Sequence, residues 1–325
     1  MTRLLLSLGI IAFGLTLGYG IQVLVNRNRL RLPLQLDRLR KILQKAALLF
    51  LNPVAIVGAV WIVHIKDIAL VMLPFLGFFA LLTGGVLALG AAKLMKLESR
   101  KTGALFPCGS FTNIGSIGAL VCFIFLGEGG FALVPIYKLF EETSYYAVGF
   151  PIAKYYSSSV KEKDSTVDRI KSLTTDPFIL VALSSLVLGG CLNLSGIPRP
   201  AFYHTVNAIF VPLATILLLT SIGLAMKFRS VRNYLRECFS VAAIKFLVVP
   251  ILVSSAAYLL GFGAIDGGLP LKVVIILSSM PVAFNALIPP SIYDLDLDLA
   301  NSTWFFTTAS LIIMLPILLF VVNAF

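Results

Sequence analysis

Apolar residues fill runs of about 20 positions that recur along the whole chain, at roughly 3–25, 39–62, 67–92, 102–126, 131–153, 177–195, 204–226, 236–260, 271–292 and 300–323. At about 1.5 Å rise per residue, each run is long enough to cross the roughly 30 Å hydrocarbon core of a bilayer as a helix. A membrane barrel would instead show short segments of alternating hydrophobicity. The pattern predicts an all-α polytopic membrane protein of ten transmembrane helices. Arg3 followed by an apolar stretch resembles the start of a signal peptide. The stretch is long for one, lacks an A-x-A site and precedes nine further runs, so it reads as an uncleaved first helix.

Two of the runs interrupt themselves. The fourth contains SFTNIGSIG, residues 110 to 118, which sets Ser110, Thr112, Asn113 and Ser116 beside Gly115 and Gly118. The ninth contains SSMPVAFNALIPP, residues 278 to 290, with Pro281, Asn285, Pro289 and Pro290. Proline removes a backbone donor, and glycine lowers helix propensity by about 1 kcal/mol. Backbone groups freed at bilayer depth cost several kcal/mol unless protein or a water-filled cavity receives them. Each break lies about a dozen residues into its helix.

Between the fifth and sixth runs lies SSSVKEKDSTVDRIKSLTTD, residues 157 to 176, a polar stretch with charges of both signs. It divides the chain into a first five-helix repeat, 1–156, a cytoplasmic linker, 157–176, and a second repeat, 177–325. An odd number of crossings per half forces the halves into opposite orientations, so a duplication would be an inverted one. Asn52-Pro53-Val54-Ala55 in run two and Val211-Pro212-Leu213-Ala214 in run seven are weakly alike. Matched breaks in helices 4 and 9 of two inverted halves point to a transporter's substrate site. Thr112, Asn113, Gly115, Gly118, Pro281, Asn285 and Asn52 are the candidate substrate-binding residues.

Composition agrees: 58% of the 325 residues are hydrophobic and 13% charged, with a mean hydropathy of +0.97, outside the soluble range. The net charge of +11 is topological rather than a nucleic-acid footprint. Arg27, Arg29, Arg31 and Arg38, then Lys93, Lys96, Arg100 and Lys101, then Lys154 to Lys171, then Lys227 to Arg236, all fall in alternate connections. The intervening connections hold little more than Lys66, Arg199 and Lys272. The positive-inside rule therefore places a multi-pass protein in the cell membrane with both termini extracytoplasmic. Cys108, Cys122, Cys191 and Cys238 form no C-x-x-C and read as buried thiols, with no disulfide framework and no metal site.

The broken runs also carry a resemblance. Residues 110–118 with Gly127-Glu128, Ser221-Ile222-Gly223-Leu224-Ala225, Met280-Pro281-Val282-Ala283 with Tyr293, and the stretch from Ser302 to Pro316 resemble the auxin efflux carrier family of membrane transporters. One departure is Ala119, where many members have proline. The resemblance implies two inverted five-helix repeats, a fold shared with bile acid/sodium symporters, with crossover helices 4 and 9 unwound near the midplane. It further implies a small organic anion as cargo, moved by elevator-type alternating access. Carriers of this fold are often homodimers.

Several ionisable residues lie inside apolar runs. Lys138, Glu141 and Glu142 occupy run five, where Lys138 reaches either carboxylate at helical spacing. Lys245 in run eight has no acidic neighbour at that spacing and suits a counter-ion for an anionic substrate or for Glu141 or Glu142. A buried glutamate also suits a coupling proton; sodium is the other candidate coupling ion, and no cofactor is implied. Asp294, Asp296 and Asp298 lack the glycine and glutamate of a calcium loop, and favour the N-terminus of run ten through its dipole. No G-x-S-x-G, H-E-x-x-H or phosphate-binding G-x-x-x-x-G-K-[ST] occurs, which argues against an enzyme and against direct use of ATP. The leading expectation is a secondary active transporter of a small organic anion. A sodium-coupled symporter of the bile-acid type and a non-transporting membrane receptor are the competing readings.

Overall fold

A computed structural model of the chain describes residues 2–27, 29–30, 34–62, 68–157, 177–226 and 231–324. The linker call at 157–176 therefore lies outside the described residues beyond Ser157. Among those described, the backbone is helical apart from turns and one isolated antiparallel bridge. Six helical stretches are long and apolar enough to cross a membrane: Thr2–Asn26, Leu36–Val60, Leu70–Leu94, Ile114–Tyr155, Phe202–Gly223 and Val231–Leu259. Leu297–Ala309 and Leu311–Ala324, bent by 48°, make a seventh if they form one span. The protein is a multi-pass helical membrane protein.

The ten apolar runs are not ten unbroken helices. Ile114–Tyr155 is 42 residues long, about twice what one crossing needs. Its helix is broken at Gly127, whose φ of 75° and ψ of −162° are essentially reserved for glycine. A second irregularity follows Pro135: Leu139 and Glu141 donate to Ile136 and Lys138, three residues back rather than four. Run nine is split into Leu269–Ser278, Phe284–Leu287 and Ile288–Ile292.

Three π-turns, Ala47–Leu51, Tyr145–Gly149 and Ile244–Val248, share one cause. Each is followed by a residue and then a proline, at Asn52-Pro53, Phe150-Pro151 and Val249-Pro250. The amides of Asn52, Phe150 and Val249 donate five residues back, to Ala47, Tyr145 and Ile244. Widening the turn keeps the proline ring off the carbonyl of the preceding turn, so the helix continues instead of ending.

Two compact units interleave in sequence. One comprises Met1–Lys66, Gly115–Pro135 and Asp176–Lys227; the other Asp67–Ile114, Ile136–Thr175 and Phe228–Phe325. Each draws on both sides of the linker, so this spatial division differs from the division into 1–156 and 177–325.

In the first unit, Thr2–Asn26 packs on Phe202–Gly223 through small residues. A Cβ on Gly18 would lie 2.1 Å from the Thr220 carbonyl oxygen, and one on Gly223 2.4 Å from that of Leu15. Backbones that close recover van der Waals contact without a solvent-driven term. Ala47 and Leu51 form a core with Ala214 and Leu218, which brings runs two and seven together. At one end of this unit Asn193 donates to the carbonyls of Val60 and Trp61, and the Trp61 indole donates to Ile197.

In the second unit, Leu73–Leu94 and Ser99–Ser110 meet at Gly84 and Gly109, where a Cβ on Gly84 would stand 2.2 Å from the Gly109 carbonyl. Its polar connections gather at one end. Arg100 donates to the backbone and carboxylate of Asp294, Tyr234 to Asp296, Ser99 to Tyr156 and Ser157 to Tyr293. Asp296 caps Leu297–Ala309 by accepting from Leu299 at 2.9 Å, as the aspartate run predicts.

Candidate functional site

Both self-interrupted segments belong, up to Ile114, to the second unit, and there they meet. Helix Ser99–Ser110 ends at Phe111, which turns extended at φ −79° and ψ 126°. Helix Leu269–Ser278 ends at Ser279, and the chain is extended again at Ala283, at φ −69° and ψ 149°. Thr112 then faces Val282 in the isolated antiparallel bridge. The Asn113 amide donates to the Pro281 carbonyl at 2.9 Å, and the Ala283 amide to Phe111 at 3.0 Å. The Val282 amide goes to the Thr307 hydroxyl at 3.2 Å. Proline at 281 has no amide to place. Each break thus satisfies backbone groups that the other has freed.

Lys245 stands at this junction. Only 1% exposed, its ammonium donates to the Thr112 hydroxyl at 2.6 Å and to the Ser110 carbonyl at 3.1 Å. Its π-turn, Ile244–Val248, sits directly ahead of the Val249-Pro250 dipeptide. The ammonium's hydrogen-bond partners are neutral oxygens, and Glu141 lies within electrostatic reach of it. Ser110 closes its helix, so its carbonyl carries the partial negative charge of a helix C-terminus and attracts a cation.

A second polar group adjoins it. Glu141, 5% exposed, pairs through Oε2 with Lys138 at 3.1 Å, the internal pairing that the spacing suggests. Its Oε1 accepts from the Tyr145 hydroxyl at 2.5 Å. That hydroxyl also lies 3.4 Å from the Thr112 carbonyl. The Tyr145 ring stacks on Phe111 with centroids 3.9 Å apart, fixing its direction.

Of the sequence-predicted residues, Thr112, Asn113, Pro281, Asn285, Glu141, Glu142 and Lys245 lie in this unit. Thr112, Asn113 and Pro281 are joined by the pairing itself; Asn285 follows in the 3-10 turn Phe284–Leu287 and is half-buried. Gly115, Gly118 and Asn52 belong to the first unit. The two glycines form the π-turn Ile114–Gly118, and Asn52 begins the helix Asn52–Val60 behind its own π-turn. Cys108, Cys122 and Cys238 are buried, but Cys191 is exposed on Pro177–Leu194, which corrects the reading of four buried thiols.

Two features escape sequence reasoning. Tyr145 offers no signal beyond its place four residues after Glu141. In the first unit Arg199, read as a loop charge, makes a part-buried ion pair with Glu128 and donates to the Gly58 carbonyl at 2.9 Å. Asn207 donates to the same carboxylate oxygen at 3.3 Å.

Fold and site together define a helical multi-pass membrane protein with two mutually paired helix interruptions. Over 248 residues the chain is 25% identical to an uncharacterized transporter of Methanothermobacter thermautotrophicus, covering 76% of this chain and 77% of that protein. Over 242 residues it is 26% identical to an uncharacterized transporter of Methanocaldococcus jannaschii, covering 73% and 74%. No family model matches the chain.

Proposed function

We propose that the protein is a secondary active transporter of a small organic anion, and that the paired breaks at 111–113 and 281–283 carry the substrate site. The observation behind this reading is the buried Lys245 ammonium at the junction of two non-helical segments. Broken helices at membrane depth are a recurrent device for ligand binding in carriers. A buried cation whose hydrogen bonds go to neutral oxygens leaves charge that an anion can compensate. The names of both archaeal relatives support transport as the class. Asn113 and Asn285 supply neutral hydrogen-bonding groups for a carboxylate, and movement is of the elevator type. In the second unit Arg100, Ser157, Tyr234 and Asp294 gather at one end, and in the first so do Trp61, Asn193 and Ile197.

The test is uptake of labelled mono- and dicarboxylates into proteoliposomes. Asn113→Ala and Pro281→Ala are each expected to lower flux at least roughly tenfold, the effect of losing about 1.4 kcal/mol of binding, with unchanged size-exclusion profiles. Wild-type flux in both variants overturns the site.

A further inference from the structure

Glu141 and the break are linked by one hydroxyl. The Tyr145 oxygen is 2.5 Å from Glu141 Oε1 and 3.4 Å from the carbonyl of Thr112. A phenol has a single proton to donate, so it serves the carboxylate or the carbonyl, not both fully. Thr112 is also the residue whose hydroxyl holds Lys245 and whose backbone opposes Val282. Anything that moves the tyrosine proton from one acceptor to the other changes the hydrogen bonding of the paired segment.

Resting on the transport reading, we infer that Glu141 is the coupling-proton site and that Tyr145 passes its protonation state to the break. The step balances simply. The ionised carboxylate accepts from Tyr145 and pairs with Lys138. On taking one proton from the medium it becomes a donor, the Tyr145 proton turns to the Thr112 carbonyl, and the Lys138 pair loosens. Release of the proton reverses each change. The Lys138 side chain is 30% exposed against 6% for Glu141, so the pair reaches the surface on the Lys138 side.

The groups facing Glu141 fit this role. Lys138, Glu142 and Tyr145 belong to its own stretch of chain, and Glu142 lies within electrostatic reach of both Lys138 and Tyr145. From Val231–Leu259 comes Lys245, within electrostatic reach of Glu141. Leu73–Leu94, packed against Glu141–Ser144, has its basic residue, Lys93, only in its last turn. Sodium fits less well at the junction, because the Ser110 and Thr112 oxygens that would ligate it already receive the Lys245 ammonium.

The experiment measures the ratio of carboxylate uptake with and without an inward proton gradient, using the full chain in proteoliposomes at constant sodium. Wild type is expected to show a ratio of about ten, insensitive to an imposed sodium gradient. Tyr145→Phe, which keeps the ring on Phe111, and Glu141→Gln are each expected to bring it to about one, the factor carried by a hydrogen bond to a charged group. A wild-type ratio of one, or a ratio of ten surviving in both variants, overturns the inference while leaving transport intact. Absence of flux for every carboxylate overturns the transport reading, and the inference with it.

Discussion

Lys245 shows what a single residue contributes. Its ammonium satisfies the Ser110 carbonyl and the Thr112 hydroxyl in a buried setting. Lys245→Met keeps the length and removes the charge, leaving the Ser110 carbonyl and the Thr112 hydroxyl only the 3.4 Å bond between themselves, at a cost of about 1–3 kcal/mol. The expected outcome is a lower midpoint of thermal unfolding in detergent, read by tryptophan fluorescence, together with loss of flux. An unchanged midpoint would show that the two oxygens are satisfied in some other way. That Lys245 needs a partner from another helix is legible in the sequence, because no acid stands at helical spacing. The partner's identity is not, because Ser110 and Thr112 lie more than a hundred residues away and an apolar run does not announce which neighbour it meets. Tyr145 is less legible still: a tyrosine in an apolar span packs well without using its hydroxyl.

At the scale of elements, prolines and glycines mark where helices deviate but not how. Pro281 with Asn285, and Asn113 with its glycines, locate both interruptions. That the freed backbone pairs as a two-segment bridge follows only from which amides find which carbonyls. Pro53, Pro151 and Pro250 look like breakers, yet each is absorbed by a π-turn and the helix carries on. Gly127 is the opposite case, a residue just past the fourth apolar run that ends a helix. A Cβ there meets nothing within 4 Å, so Gly127→Ala is penalised by backbone conformation alone, by about 1–3 kcal/mol. Reduced thermal stability with wild-type expression is expected; equal stability would mean that the turn between the fourth and fifth runs tolerates a side chain.

For the molecule as a whole, hydropathy gives the all-helical, multi-pass class directly, since runs of this length leave few alternatives. The grouping into units is beyond it: contact, not chain order, joins Leu73–Leu94 to Val249–Leu259, and Thr2–Asn26 to Phe202–Gly223. The part-buried Glu128–Arg199 pair is hidden for the same reason, its partners being far apart in sequence. The account turns on the meeting of the two interruptions. Thr112 and Val282 form a pair flanked by, rather than sharing, the hydrogen bonds, the narrow kind with Cα atoms about 4.5 Å apart, which a disulfide can span. The most direct measurement is therefore oxidative cross-linking of Thr112→Cys with Val282→Cys in membranes, on a background lacking the native cysteines. Near-complete cross-linking is expected, against none for Thr112→Cys with Leu269→Cys, at the far end of a ten-residue helix about 15 Å long. Equal yields from the two pairs, or none from the first, would contradict the pairing on which the proposed site rests.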